Sequence, residues 1–492
     1  MGIWQKKSIE DLQNSPDVKN PKFKRTLSAF DLILMGIGVI VGAGLFSVTG
    51  VAAAENAGPA IVISFIFAAC GCAFAGLCYS ELATMIPLSG STYTYTYAAM
   101  GELPAWIIGW SLVLEYIIGA ATVSISWSAY ALSFLQDFDI SFPTALSGSA
   151  WQPMTLSDGT TVTGFINLPA LAIVICISLL LIRGSRQSAL INTLIVITKI
   201  AVVILFIIFG YAFIDPSNYT PFIPENTGTF GEFGWSGILR ATGIVFFAYI
   251  GFDALSTMSL EVKNPAKTPP IGILGSLFIC TILYILFALV LTGLANYKEL
   301  DVAAPVAVAI AKMPYPWLNW LIKLAVLAGL TSVILVLLFA QSRIFYAMTC
   351  DGFLPSIFAK LHPTYHTPWY SNLILMVLVG PIAAFGSIEL MSHLTSIGTL
   401  LAFTIVCCGV IILRYTHPET PRPFKAPFFP IVPILGVLTC LSMMLCLGVL
   451  SWIRLIGWMI IGVLIYFTYS RHRIAKLQNN QSLNDVSNQK KS

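Results

Sequence analysis

Apolar residues fill this chain in runs far longer than a soluble core requires. Between Phe30 and Tyr469, stretches of about 18 or more apolar residues recur, each able to cross a hydrocarbon layer of about 30 Å. The pattern predicts about twelve spans, at 30–54, 58–86, 104–135, 166–183, 188–214, 236–259, 270–294, 317–346, 370–386, 390–413, 430–450 and 452–470. The segment 136–165 between the third and fourth contains the turn-rich stretch "SGSAWQPMTLSDGTTVTG". The segment 414–429, "RYTHPETPRPFKAPFF", is punctuated by proline. A basic tail, 1–29, and a polar tail, 471–492, bracket the membrane region. The expected fold class is an all-α integral membrane protein.

Composition agrees with the pattern. The chain is 57% hydrophobic and 10% charged, with a mean hydropathy of +0.84, whereas soluble domains carry about 25% charge. The first apolar run is too long for a cleaved signal segment, so the first span is expected to serve as its own membrane signal. Of the 26 lysines and arginines, 20 fall on the side of the two tails and 5 on the other. That bias predicts both termini in the cytoplasm. It reads as topology, not as a nucleic-acid surface. The ten cysteines lie in or beside the spans, so no disulfide framework is expected. His362 and His366 sit in proline-broken "HPTYHTP", which does not hold two rings on one face, and neither a metal nor a cofactor is expected. No GxSxG, phosphate-binding loop or HExxH occurs, nor any soluble nucleotide-binding domain, which argues against an enzyme and an ATP-driven pump.

The first span contains "GVIVGAGLF" (38–46), and the sixth contains "FFAYIGFD" (246–253). Glycine is a poor helix former, and in hydrocarbon each freed backbone group costs several kcal/mol unless it finds a partner. Five spans separate the start of the two units, so the second enters from the opposite face. Interrupted spans at matching positions of inverted halves mark a transporter site. An unwound Gly42-Ala43-Gly44 would offer N–H groups to a carboxylate. Carbonyls freed in Phe246–Gly251, with those near Ile40, would accept an ammonium. The plainer reading is that these glycines merely let helices pack closely.

Three ionisable residues lie within spans. Lys199 is about 17 Å from either end of the fifth span, beyond the reach of a stem of about 6 Å. It must face the interior, where keeping its proton is costly, which suits a residue that exchanges one. Glu115 is similarly deep in the third span, and Asp253 closes the interrupted stretch of the sixth. Interhelical hydrogen bonding is the alternative for all three.

These residues resemble the amino acid–polyamine–organocation superfamily, and within it bacterial relatives of the cationic amino acid transporters. The resemblance runs from about Leu27 to Tyr469. It rests on "GIGVIVGAGLF" (36–46), "PLSGSTYTYTY" (87–97), "EYIIGAATVSISWSAY" (115–130), "FFAYIGFDALST" (246–257), "EVKNPAKTPPIGI" (261–273), "QSRIFYAMTCDGFLP" (341–355) and "RPFKAP" (422–427). It implies a leucine-transporter-like fold: an inverted five-plus-five repeat, 30–214 and 236–413, with broken helices one and six, plus two peripheral helices in 430–470. It also implies that Ile40, Gly42, Ala43 and Gly44 hold a substrate carboxylate. Phe247, Ala248 and Ile250 would hold the ammonium, with Phe247 capping the site. Lys199 would stand in for the cation of sodium-coupled relatives, facing Thr331 and Ser332. Cys350, Ser91 and Leu260 depart from the family pattern, the first and last at the cytoplasmic gate.

The expected activity is secondary, proton-coupled amino acid uptake by alternating access across a plasma membrane, of the bacterial inner-membrane kind. The expected partners are an amino acid, protons and the bilayer, without nucleic acid; a small membrane-protein partner is left open. Rival readings are an amino acid exchanger without net proton flux and a transport-dead amino acid sensor. The family label is weak evidence on whether the substrate is cationic or small and neutral.

Overall fold

The computed structural model describes residues 4, 6–8, 27–86, 91–149, 154–155, 161–162, 164–183, 189–258, 262–363, 365 and 367–474. Most of the basic tail, Pro87–Gly90, Arg186, Leu260, Glu261, His366 and the chain beyond 474 lie outside the described residues. Apart from a hairpin pairing Met154–Thr155 with Thr161–Val162, the regular structure described is helical.

The principal helices are α1 (Ala29–Ile40), α2 (Ile61–Met85), α3 (Glu102–Gln136), α4 (Leu168–Arg183), α5 (Ala189–Tyr211) and α6 (Gly234–Val245). They continue with α7 (Thr268–Leu294), α8 (Pro316–Cys350), α9 (Trp369–Phe385), α10 (Ile388–Thr416), α11 (Ile431–Cys446) and α12 (Val449–Ile465). Among the described residues, 7 helical stretches are long and apolar enough to cross a membrane, and shorter apolar helices such as α1, α4 and α9 accompany them. Large apolar side chains such as Ile208, Phe278 and Leu464 are exposed on the outer surface, as a hydrocarbon environment allows.

Two boundaries differ from the pattern. The eighth element continues past 346, so Cys350 is the last residue of α8 and not part of the loop after it. The last two spans meet before Leu450-Ser451, because Gly448 adopts φ +86 and Val449 already begins α12. Only a residue without a β-carbon takes that conformation readily.

Both described ends lie on one face. Lys7 Nζ pairs with Asp351 at 2.6 Å, and Ser470 Oγ donates to Phe353 O at 2.8 Å. Between the faces, α12 is fixed to α3 by indoles. The Trp110 and Trp458 rings stack at 4.5 Å, and each Nε1 donates to the other residue's carbonyl, at 2.8 and 3.0 Å. Gly462 leaves the space that Trp110 fills.

A buried ionic cluster secures the termini face. Glu81 of α2 is 1% exposed and accepts from Arg414 Nε at 2.9 Å and from the Ala426 amide at 2.8 Å. Arg422 adds a 3.4 Å contact and donates to the carbonyls of Leu413 and His417 that end α10. The proline-rich 414–429 segment is thus ordered by charge. Removing one partner of such a group strands the others and costs about 3–5 kcal/mol. Glu81→Ala should therefore lower the melting temperature of the detergent-solubilised protein by several degrees; an unchanged melting temperature would contradict this account.

Candidate substrate and coupling site

The first break forms where helix-compatible residues give way to glycine. A capping box starts α1: the Ser28 hydroxyl accepts from the Asp31 amide at 3.2 Å, and Asp31 accepts from the Ser28 amide at 2.9 Å. The helix runs only to Ile40. Val41 is extended (φ −73, ψ 98), and winding resumes as a π turn, Gly44–Val48. The break therefore begins one residue ahead of the Gly-Ala-Gly triplet. In the sixth span, α6 ends at Val245 and tightens into a 3₁₀ turn, Phe246–Tyr249. Ile250 is then extended (ψ 139), Gly251 takes φ +113, and a second 3₁₀ stretch, Phe252–Met258, follows.

Side chains from outside the breaks satisfy several freed carbonyls. Lys199 Nζ, on α5, donates to Gly38 O at 2.7 Å and to Val41 O at 3.2 Å. Lys199 is 1% exposed, as its depth in the span required. The Tyr284 hydroxyl, on α7, lies 2.8 Å from Ile40 O and 2.9 Å from Ala248 O. It has one proton for two acceptors, so it links the two breaks while fully satisfying neither. The Tyr130 hydroxyl donates to Phe46 O. By contrast, the N–H groups of Gly42, Ala43 and Gly44 meet no acceptor among the described residues. The break thus presents donors without partners beside carbonyls held by displaceable donors.

The breaks also touch. A β-carbon on Gly44 would strike the backbone of Ala248, and one on Gly251 would strike Val39. One on Gly42 would come within 3.2 Å of Val333 on α8. Close packing and an open backbone thus occur at the same residues and are not rival explanations. Phe247 and Ile250 are buried beside Ala248. On α8, Gly329 faces the lysine stem: a β-carbon there would lie 2.8 Å from Lys199 Cε. Thr331 accepts from Trp127 Nε1 at 2.9 Å and donates to Leu327 O, while Ser332 donates to Gly329 O. The structure thus brings Lys199 to the first break, with α8 close by, but neither hydroxyl bonds the ammonium among the described residues.

Glu115 and Asp253 form a separate group on the termini side of the breaks. Both are 1% exposed and near enough for their charges to interact. The Tyr116 hydroxyl donates to Asp253 Oδ2 at 3.2 Å, whereas Glu115 Oε1 has no partner among the described residues. Thr399 of α10 lies against Glu115.

Sequence comparison places this geometry. The profile described as "Amino acid permease" matches residues 27–468. The chain belongs to the amino acid permease family. The permease is 42% identical over 469 residues to the methylthioribose transporter of Bacillus subtilis (strain 168), covering 95% of this chain and 98% of that one. It is 40% identical over 470 residues to the branched-chain amino acid permease BcaP of the same organism, again covering 95% and 98%. It is also 38% identical over 394 residues to the chloroplastic cationic amino acid transporter 9 of Arabidopsis thaliana, covering 79% of this chain and 66% of that one. The permease is a transporter, not an enzyme.

Tyr284 and Tyr130 were not among the residues that sequence reasoning singled out, because a tyrosine inside a span is ordinary core material until its hydroxyl is seen to meet a broken helix. Two predictions follow from the contacts. Tyr284→Phe leaves two buried carbonyls without their donor, at a cost of about 1–3 kcal/mol. It should lower both the melting temperature and the uptake rate; full uptake would remove Tyr284 from the site. Gly44→Val should abolish uptake at normal expression, since a branched β-carbon cannot approach Ala248. Normal uptake by that variant would show that the break takes no part in transport.

Proposed function

We propose that the permease takes up an amino acid together with a proton across the plasma membrane, by alternating access, with both termini in the cytoplasm. The observation that carries this reading is the buried Lys199 ammonium held by Gly38 O and Val41 O at the first break. Among the described residues Lys199 makes no ion pair, so its charge is balanced only by dipoles. A fixed ammonium there does what a bound metal cation would do for the freed carbonyls, and it can gain or lose a proton as the break moves. Thr331 and Ser332 belong to this cation-like position.

The substrate's main chain occupies the breaks in this reading. Its carboxylate takes the N–H groups near Ile40, Gly42, Ala43 and Gly44. Its ammonium replaces the Tyr284 hydroxyl at the carbonyls around Phe247, Ala248 and Ile250, and Phe247 closes over it. The arrangement of the two breaks supports an inverted five-plus-five repeat, 30–214 and 236–413, with 430–470 as two peripheral helices in a twelve-span protein. Glu115 relays protons or tunes Lys199, and Asp253 holds the second break through Tyr116. The 40% identity to a permease named for branched-chain amino acids supports a substrate with an uncharged side chain.

A second reading follows from the 42% identity to the transporter named for methylthioribose. That neutral thiosugar carries neither a carboxylate nor an ammonium, so it would leave the charged features of the breaks unused. Competition by amino acids and methylthioribose against labelled leucine uptake in proteoliposomes separates the two.

The coupling has its own test. Lys199→Ala should lose the stimulation of uptake by an inward proton gradient, and sodium should not stimulate the parent protein at fixed pH. Clear sodium dependence would overturn the assignment. Glu115→Gln should shift the pH profile of uptake while leaving the order of competing substrates unchanged. A changed order would instead place Glu115 at the substrate side chain.

A further inference from the structure

Opposite the termini, which is the outer face in the orientation proposed above, four elements converge. They are the turn Ala53–Ala57, the start of α6, the short helix Tyr297–Leu300 with Asp301, and the start of α10. Asn56 ties the first two together: its Nδ2 donates to Gly231 O at 2.7 Å, and its carbonyl accepts from the Phe233 amide at 2.8 Å. Arg240 lies over Gly231, in space that a side chain there would take. Glu55 lies within electrostatic reach of Glu389, Asp301 and Arg240. His393 follows Glu389 by four residues, hence on the same face of α10, and lies within reach of Arg240 and Arg454.

These opposite charges are gathered but not paired. Among the described residues Arg240 makes no ion pair with any of the three acids. Its Nε is buried without a hydrogen-bond partner, and so is Nε2 of His393, a residue only 7% exposed. A buried donor left unpaired costs about 1–3 kcal/mol, and a guanidinium is built for two-point binding of a carboxylate. Glu389 and Asp301 stand exposed at the rim, Glu55 and Arg240 are half-buried, and His393 lies deepest. The arrangement is a charged mouth graded from solvent inward.

We propose that this mouth is an outer docking subsite for the zwitterionic head of an amino acid. Arg240 takes the carboxylate, the acids Glu55, Asp301 and Glu389 surround the ammonium, and His393 Nε2 bonds the head from below. The inference rests on the amino acid reading of the substrate, since a neutral thiosugar would not bridge these charges. It adds a second place where the substrate is held, separate from the breaks.

Calorimetric titration of the full chain in lipid nanodiscs tests it, with Gly44→Val closing the central seat. L-leucine should still bind this variant, and adding Arg240→Gln should raise the dissociation constant at least tenfold, whereas Arg240→Lys should raise it less. Isoamylamine, which lacks the carboxylate, and isocaproate, which lacks the ammonium, should each bind at least tenfold more weakly than leucine. No leucine binding to Gly44→Val, or binding unchanged by Arg240→Gln, would overturn the proposal. Should Gly44→Val prove unstable, the parent protein should show two classes of leucine site, reduced to one by Arg240→Gln; a single class unaffected by that change would equally overturn it. Uptake by the parent protein is scored separately, so failure to carry any amino acid would sink the transport reading while the titration still decides the subsite.

Discussion

Hydrocarbon offers a backbone no water, so any helix broken within it must find its hydrogen-bond partners inside the protein. Much of this structure is organised around that constraint. The chain breaks two helices at the same depth and brings them together, Gly44 against Ala248. It then supplies a lysine from α5, a tyrosine from α7 and a tyrosine from α3 to the exposed carbonyls. What it does not supply, among the described residues, is an acceptor for the amides of Gly42, Ala43 and Gly44. A ligand carrying a carboxylate can make good that deficit, and one carrying an ammonium can replace a donor that has too few protons for its acceptors.

In the proposed coupling, the lysine is the break's link to protons. A bound metal ion would satisfy carbonyls permanently and at every pH, whereas an ammonium satisfies them only while protonated. Lys199 is attached to α5 and reaches α1, and it lies against α8 through the space left by Gly329. Movement of α1 away from α5 therefore breaks the two bonds to Gly38 and Val41 together. In the proposed mechanism, substrate binding and proton release would act on the same few residues of backbone, which would give a physical basis for coupling them.

Much of this was legible in the sequence, for definite reasons. Both breaks were visible because glycine, a poor helix former, recurs at matching positions in two long apolar runs, where freed backbone groups are costly. Lys199 was visible because its stem is too short to reach water from mid-span. The partners were not visible. Tyr284, Tyr130 and Tyr116 carry their meaning in where one hydroxyl points, which follows from tertiary packing alone. The Glu81–Arg414–Arg422 cluster joins residues more than 300 positions apart, and no local pattern announces it. The exact start of the first break also escaped: glycine marks where unwinding is cheap, yet the extended residue is Val41, because contacts to α5 and α7 select which peptide turns out. Gly448 shows the same limit at the last turn, where a positive φ, not the hydropathy profile, sets the boundary.

The central claim is that the unpartnered amides of the first break receive the substrate's carboxylate. Nuclear magnetic resonance of the protein in nanodiscs, with ¹⁵N-labelled glycine and alanine, reads those amides directly. On saturating amino acid, the Gly42, Ala43 and Gly44 resonances should move downfield in the proton dimension, as new charge-assisted hydrogen bonds require, while Gly457 on the lipid-facing α12 stays fixed. Saturation of transport with those three resonances unmoved would contradict the account.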